Sequence, residues 1–303
     1  MNIVRNRKIF FGITIVIIAL AIGAISYLGL PLGIDFTGGS LIEVAYPDGR
    51  PQKELIESEM EELDLGGFSV RPTEEADGSE GFIVRTRNLT EGEHGAVINA
   101  LSLESTTSLE EVRFNSVGPT IGEELRSKAV VAIAVVLAVI VLFIAFAFRK
   151  VSKPVSSWRY GLIAILALVH DIVVPAGAYA VYAHYTGAEV DTLFVMAVLA
   201  ILGYSVNDTI IIFDRVRENL VHNEEARIKE EFAETVGHSL SQTYGRSINT
   251  SLTTLFVLGT LFFVGGVATQ SFAFLLLVGV IAGSYSSIFL AAPLLVAFRP
   301  KNN

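Results

Sequence analysis

The chain has 303 residues, of which 51% are hydrophobic and only 17% charged, with a formal net charge of −9 and a mean hydropathy of +0.55. A soluble protein of this length carries more charge and shorter apolar runs, so the composition is that of a polytopic membrane protein. The absence of cysteine excludes disulfides, thiolate metal sites and thiol nucleophiles. The five histidines show no metal-ligand spacing and no lysine follows a glycine, which excludes a phosphate-loop ATPase; no catalytic site, metal site or cofactor is expected.

The first apolar segment, about residues 9–32, is long enough to cross a hydrocarbon core. Arg5, Arg7 and Lys8 precede it and are expected to hold the N-terminus in the cytoplasm. Its apolar core exceeds the roughly 7–15 residues of a signal-peptide core, so it reads as an uncleaved span in a first unit of residues 1–33.

Residues 34–127 form the second unit. Between residues 33 and 127 lie 20 of the 31 acids but only seven arginines and lysines, which suits a water-exposed acidic domain and does not suit nucleic acid. Gly38-Gly39 reads as a turn, and a hinge, feeding a first strand at Ser40–Tyr46, which the turn signal Pro47-Asp48-Gly49 follows. Residues 51–64 place Leu55, Ile56, Met60 and Leu63 at helical spacing. Strands are expected at 68–70 and 82–86 around a polar turn at 74–81, then a helix at about 91–104 and a last strand at 111–117. The order β-α-β-β-α-β predicts an α+β ferredoxin-like extracytoplasmic domain between helices one and two.

The third unit, residues 128–303, reads as a five-helix bundle with spans at 129–148, 160–184, 192–213, 247–268 and 271–298, giving six transmembrane helices in all. Arg149, Lys150, Lys153 and Arg159, then Arg215, Arg217, Arg227 and Lys229, then Arg299 and Lys301, all fall on one side of the alternation, and the short turns on the other side have no lysine or arginine. The positive-inside rule therefore puts both termini in the cytoplasm. The one long inner connection, 214–246, carries Glu225, Ala226, Ile228, Phe232, Ala233, Val236 and Leu240 in an amphipathic pattern, which predicts a helix lying along the inner membrane surface.

Three polar clusters interrupt the spans: His170-Asp171 in span three; Asn207-Asp208 in span four, with Tyr204 and Ser205 one turn earlier; and Arg246 with its serines and threonines at the start of span five. Asp208 precedes the charged boundary at Asp214 by six residues, about 9 Å of helix rise. If span five begins near Ser239, Arg246 reaches a similar depth. A carboxylate there is disfavoured by desolvation and favoured by a nearby guanidinium, so it is expected to bind and release a proton, with helix packing following its charge. Plainer readings stay open at each point. Asp208 could be locked to Asn207 or a serine as a packing device, Arg246 could be an interfacial anchor, and His170-Asp171 could be a satisfied buried pair. Asp214, Arg215 and Arg217 could be ordinary topology signals.

The ordered motifs carry a resemblance. Gly33-Ile34-Asp35-Phe36-Thr37-Gly38-Gly39-Ser40, Val117-Gly118-Pro119-Thr120-Ile121-Gly122-Glu123-Glu124-Leu125 and Val169-His170-Asp171 come first. Tyr204-Ser205-Val206-Asn207-Asp208-Thr209, Phe213-Asp214-Arg215-Val216-Arg217-Glu218-Asn219 and Arg246-Ser247-Ile248-Asn249-Thr250-Ser251 follow in turn. Together they resemble the SecF branch of the SecD/SecF family of protein-export membrane proteins, in the resistance-nodulation-division superfamily. The resemblance implies a multi-pass subunit of the cell membrane that pairs with SecD, which supplies six further spans. It implies work beside a SecYE-type translocon on unfolded preproteins, driven by a proton or sodium gradient. It places Asp208 and Arg246, with Asn207, in the ion pathway, and His170, Asp171, Tyr204 and Ser205 around it. Gly38, Gly39, Asp214, Arg215 and Arg217 become candidates for a hinge or partner contacts. The wider superfamily supplies an alternative, a half-transporter for lipids or small molecules.

Overall fold

The computed structural model describes residues 2–74, 78–103, 105–149 and 156–299. Lys150, Lys153 and Lys301, the centre of the polar turn at 75–77 and Glu104 lie outside the described residues.

Six apolar helical segments are long enough to cross a membrane. They are α2 (Arg7–Leu28), α6 (Pro119–Ala147), α7 (Ser157–Thr186), α8 (Thr192–Glu225), α9 (Phe232–Val264), and a last span assembled from α10 (Val267–Tyr285), a π-helical segment (Ser286–Ala291) and α11 (Ala292–Ala297). The remaining helices are short: α1 (Asn2–Arg5), α3 (Ile34–Thr37), α4 (Lys53–Glu62) and α5 (Glu91–Leu101). Local chemistry sets several ends. Pro119 opens α6, where its missing N–H costs nothing, and Gly187 closes α7 in the left-handed conformation. A capping box formed by Thr90 and Glu93 starts α5.

The bundle packs α7, α8 and the last span most deeply, while α2 and α6 lie at its edge with most of their apolar surface outward, as lipid-facing helices do. At Gly177 a Cβ would come within 2.5 Å of the Ala21 Cα, so this glycine is what lets α7 lie backbone-to-backbone on α2.

Between α2 and α6 stands a four-stranded antiparallel sheet of β1 (Gly39–Tyr46), β2 (Ser69–Glu74), β3 (Glu80–Thr86) and β4 (Glu110–Val117), in the order β2-β3-β1-β4. That order with two helices on one face is the ferredoxin-like arrangement expected from the alternation of β1 and β3. β1 pairs with β3 from Ser40↔Thr86 to Tyr46↔Glu80 and with β4 through a bulge at Glu43/Val44. Ile42, Val44 and Tyr46 of β1, with Phe82 and Val84 of β3, meet Ile56 and Met60 of α4 and Val97 and Leu101 of α5 in a closed core.

The expected helix along the inner membrane surface is replaced by a different structure. α8 continues beyond the charged boundary to Glu225, and α9 begins at Phe232. Their 34 and 33 residues make each helix about 50 Å long, well beyond a hydrocarbon core of about 30 Å. Phe232, Val236 and Leu240 bury against Ile212, Phe213 and Val216 of α8, so the amphipathic stripe is satisfied by a neighbouring helix and needs no lipid surface. Asn219 ties the pair by donating to Ser239 (2.8 Å) and Gln242 (2.9 Å), and Ile228 in the intervening turn is exposed.

The outer domain is held to the bundle at the turn between α7 and α8. Gly33 N–H donates to the Val190 carbonyl and Val190 N–H to the Pro31 carbonyl, which closes a parallel bridge between Leu32 and Val190. Asp35 Oδ2 accepts from the N–H (2.9 Å) and the hydroxyl (2.6 Å) of Thr192, the first residue of α8. Arg71 donates to the Gly187 carbonyl (2.8 Å), and Arg85 forms an ion pair with Glu189. Burial, with Arg71 and Arg113 alongside, pushes the Arg85 guanidinium down to about 10, so Glu189 answers a crowded cluster of cations.

Gly38-Gly39, expected as a turn and a hinge, sits where the chain crosses into the outer domain. Both residues have positive φ, 73° and 126°. A Cβ on Gly38 would sit 2.9 Å from the Pro119 Cα, and one on Gly39 2.7 Å from the Thr86 carbonyl oxygen. These glycines allow a close crossing of chain segments that a side chain would obstruct.

Candidate functional site

The buried face of α8 carries Ser205, Asp208, Thr209 and Ile212, at the i, i+3, i+4, i+7 spacing of one helical stripe. Asp208 is 2% exposed, and its Oδ2 has no hydrogen-bond partner. A buried carboxylate without a partner is expensive in a membrane, which makes Asp208 the candidate position. Arg246 of α9 is the cation whose field acts on Asp208, but no ion pair joins the two among the described residues. Because α9 begins at Phe232, Arg246 lies midway along a continuous helix with its side chain exposed.

Asn207 departs from the expected cluster. It is exposed on the outward face of α8, in line with Ala200 and Gly203. On α9 the outward residues include Arg246, Asn249, Thr250 and Thr253. Small and polar residues on a membrane-embedded face suit contact with protein and do not suit lipid tails.

His170 and Asp171 lie within α7, 1% and 0% exposed. His170 Nδ1 and Asp171 Oδ1 are 2.7 Å apart, while Asp171 Oδ2 accepts from the hydroxyls of Ser205 on α8 and Ser286 on the last span (2.7 Å). The sequence grouped His170, Asp171 and Ser205 as a supporting cluster, and they do meet. Tyr204 points elsewhere, half-buried, with its hydroxyl 3.3 Å from Ser251 of α9.

The π-helical segment accounts for partners that sequence reading missed. Widening the turn lets two consecutive residues, Ser286 and Ser287, both face inward. Ser286 reaches Asp171, and Ser287 lies 2.8 Å from the Thr209 hydroxyl, one residue beyond Asp208. The run Ser284-Tyr285-Ser286-Ser287 inside an apolar span was the available signal.

Asp214, Arg215 and Arg217 lie on the extension of α8 beyond the apolar stretch. Asp214 pairs with Arg217 (2.7 Å) and Arg215 with Glu218 (2.6 Å), while Arg215 Nε also donates to Gln242 of α9 (2.6 Å). The first two are exposed pairs within one helix, and the third fastens α8 to α9.

These features define a multi-pass protein of the cell membrane, with a six-helix bundle that encloses an unpaired carboxylate and a ferredoxin-like domain inserted after the first span. Comparison with known proteins gives the family. Residues 97–301 match the model of the C-terminal region of the protein export membrane proteins SecD/SecF, and residues 28–46 match the SecD/SecF GG motif. The chain belongs to the SecD/SecF family of protein-export membrane proteins. It is 37% identical to the protein translocase subunit SecF of Thermobaculum terrenum, over 100% of this chain and 95% of that protein. It is 35% identical to SecF of Anaerolinea thermophila, over 99% and 94%. The crystal structure of SecDF, a translocon-associated membrane protein from Thermus thermophilus, superimposes with a TM-score of 0.81 at 32% identity. That match covers 98% of this chain but 38% of the SecDF chain. Against SecDF in its super-membrane-facing form the TM-score is 0.67.

Proposed function

We infer that this chain is the SecF subunit of the Sec protein-export machinery, working without catalytic chemistry of its own. Together with SecD and beside the translocon, it uses the proton or sodium motive force to promote movement of unfolded preproteins across the membrane. The names of its relatives support the assignment to Sec export. The observation that carries the coupling step is Asp208, buried and unpartnered within reach of the field of Arg246.

The coupling follows from charge. An ionised Asp208 attracts Arg246, and a neutral one does not, so each ion that binds and leaves alters the attraction between α8 and α9. A full charge crossing the membrane yields about 2.3 kcal/mol per 100 mV, and a pH unit adds about 1.4. That is enough to bias a two-state helix arrangement about tenfold per pH unit and roughly fiftyfold per 100 mV. The outward polar residues of α8 and α9 fit a hetero-oligomer in which SecD covers this face. The cations at the bundle end opposite the sheet support an orientation with both termini in the cytoplasm.

Asp208→Asn in the SecD-containing complex, with preprotein export measured under an imposed gradient, tests the reading. Loss of the gradient-stimulated component is expected; unchanged stimulation overturns it. The half-transporter alternative has no observation in its favour. The cavity of about 350 Å³ between the sheet and the bundle mixes apolar side chains such as Leu41 and Ile83 with the charges of Arg85, Arg113, Glu189 and Asp191, so it does not single out an apolar ligand.

A further inference from the structure

The His170–Asp171 pair is fully buried, yet one of its atoms is unsatisfied. Asp171 is held by Nδ1 of His170 and by two serine hydroxyls, while His170 Nε2 is buried with no partner. With the carboxylate ionised, Nδ1–H donates to Oδ1, Nε2 is a bare lone pair, and the pair carries one negative charge. One added proton makes the pair neutral, and burial favours neutrality. Most native buried polar atoms find partners, so the bare Nε2 is a candidate proton acceptor inside the bundle.

The partners of the pair from α8 and the last span are the hydroxyls of Ser205 and Ser286. The Tyr285 ring stacks on His170 at 5.7 Å, and its own hydroxyl is met by Thr14 of α2 at 3.1 Å. Tyr285 and Asp171 are thus the titratable groups in direct contact with the imidazole, and Asp208 is the next along α8. Ser205 precedes Asp208 by three residues, about 4.5 Å of helix rise, on the side of the outer domain.

We propose that His170 and Asp171 form a second proton-binding site, which a proton arriving from the outer-domain side occupies before Asp208. This rests on the ion-coupling reading of Asp208. Uptake forms one N–H bond at Nε2 and breaks none within the protein. Release breaks an N–H bond of the imidazolium, and the proton passes to the Asp208 carboxylate, which becomes neutral as the pair regains its negative charge. The π-helical turn belongs to the site because it delivers Ser286 to Asp171 and Ser287 to the neighbour of Asp208. Occupancy at one site is therefore registered in the packing around the other.

The test uses the complex with SecD in membranes, labelled with nitrogen-15 histidine. The His170 signal is identified by its loss in His170→Asn, a variant whose amide can still donate to Asp171 but cannot take up a further proton. In the unmodified protein the His170 signal shows both imidazole and imidazolium forms as pH is varied, and Asp208→Asn changes their proportion. A single charge state throughout overturns the site, and a proportion indifferent to Asp208→Asn overturns its link to Asp208. His170→Asn, co-purifying normally with SecD, loses gradient-driven export by roughly tenfold or more; export near that of the unmodified protein overturns the relay. If Asp208→Asn itself leaves export intact, the coupling reading fails, and the imidazole titration still decides whether the proton site exists.

Discussion

Replacing Gly39 by alanine separates a tight crossing from a hinge. Its backbone has φ of 126°, a region that residues with a Cβ avoid at a cost of about 1–3 kcal/mol. The new methyl would also stand 2.7 Å from the Thr86 carbonyl oxygen, which belongs to β3 and cannot swing aside as a side chain could. Displacing that strand adds about 1–3 kcal/mol, for a total of about 2–6. Gly29 is the control: its φ of 75° and ψ of 178° carry the same backbone term of about 1–3 kcal/mol, but nothing lies within 4 Å of an added Cβ, so alanine there adds no strand displacement. Thermal unfolding of the purified full chain, with limited proteolysis of the outer domain, compares the two. Gly39→Ala should melt well below Gly29→Ala and expose the outer domain to cleavage. If the two melt together, the junction is loose and the packing argument is wrong.

Glu189→Gln should free the outer domain from the turn between α7 and α8, because Arg85 is left beside Arg71 and Arg113 without its carboxylate. Removing one partner of this largely buried pair costs about 1–3 kcal/mol, read as faster hydrogen exchange at Val190 and Thr192. Asp191 gives a pH dependence. Burial, and then the charge of Asp35, raise its carboxyl above the ordinary value of 3.8. The folded protein therefore holds the Asp191 proton more tightly than the unfolded chain, and stability is lost as pH rises through the raised value. Asp191→Asn keeps a capping side chain without the charge, so it should gain in melting temperature on the unmodified protein as pH rises across that window. A difference that stays flat with pH refutes this.

Much of the architecture was legible because it follows from run length and alternation. Apolar segments of the right length gave all six spans, and the alternation of Ser40–Tyr46 and Phe82–Thr86 gave the sheet. The ends of α8 and α9 were not legible for a definite reason. Asp214, Arg215 and Arg217 mark where a chain leaves lipid, but charged residues support helices in water, so the helices run on. At Gly38-Gly39 the sequence shows the freedom of glycine, but the close approach of Pro119 and Thr86 depends on the folded chain. At the candidate site, the cost of Asp208 was visible from its apolar context. The outward position of Asn207 required the phase of α8, which depends on where neighbouring helices pack.

The contact of Gly38 with Pro119 has a meaning for how such a chain is assembled. The outer domain leaves the bundle at Gly38-Gly39 and returns at Gly118-Pro119, and Gly39 pairs with Val117 across the sheet, so both crossing points are adjacent. A domain whose two ends meet is a graft: it can be lengthened, exchanged or trimmed in a lineage without moving the stumps that carry it. The six helices are in this sense a closed chassis. The ties at Arg71 and Arg85 to the turn between α7 and α8, away from the stumps, are what fix the graft to the bundle.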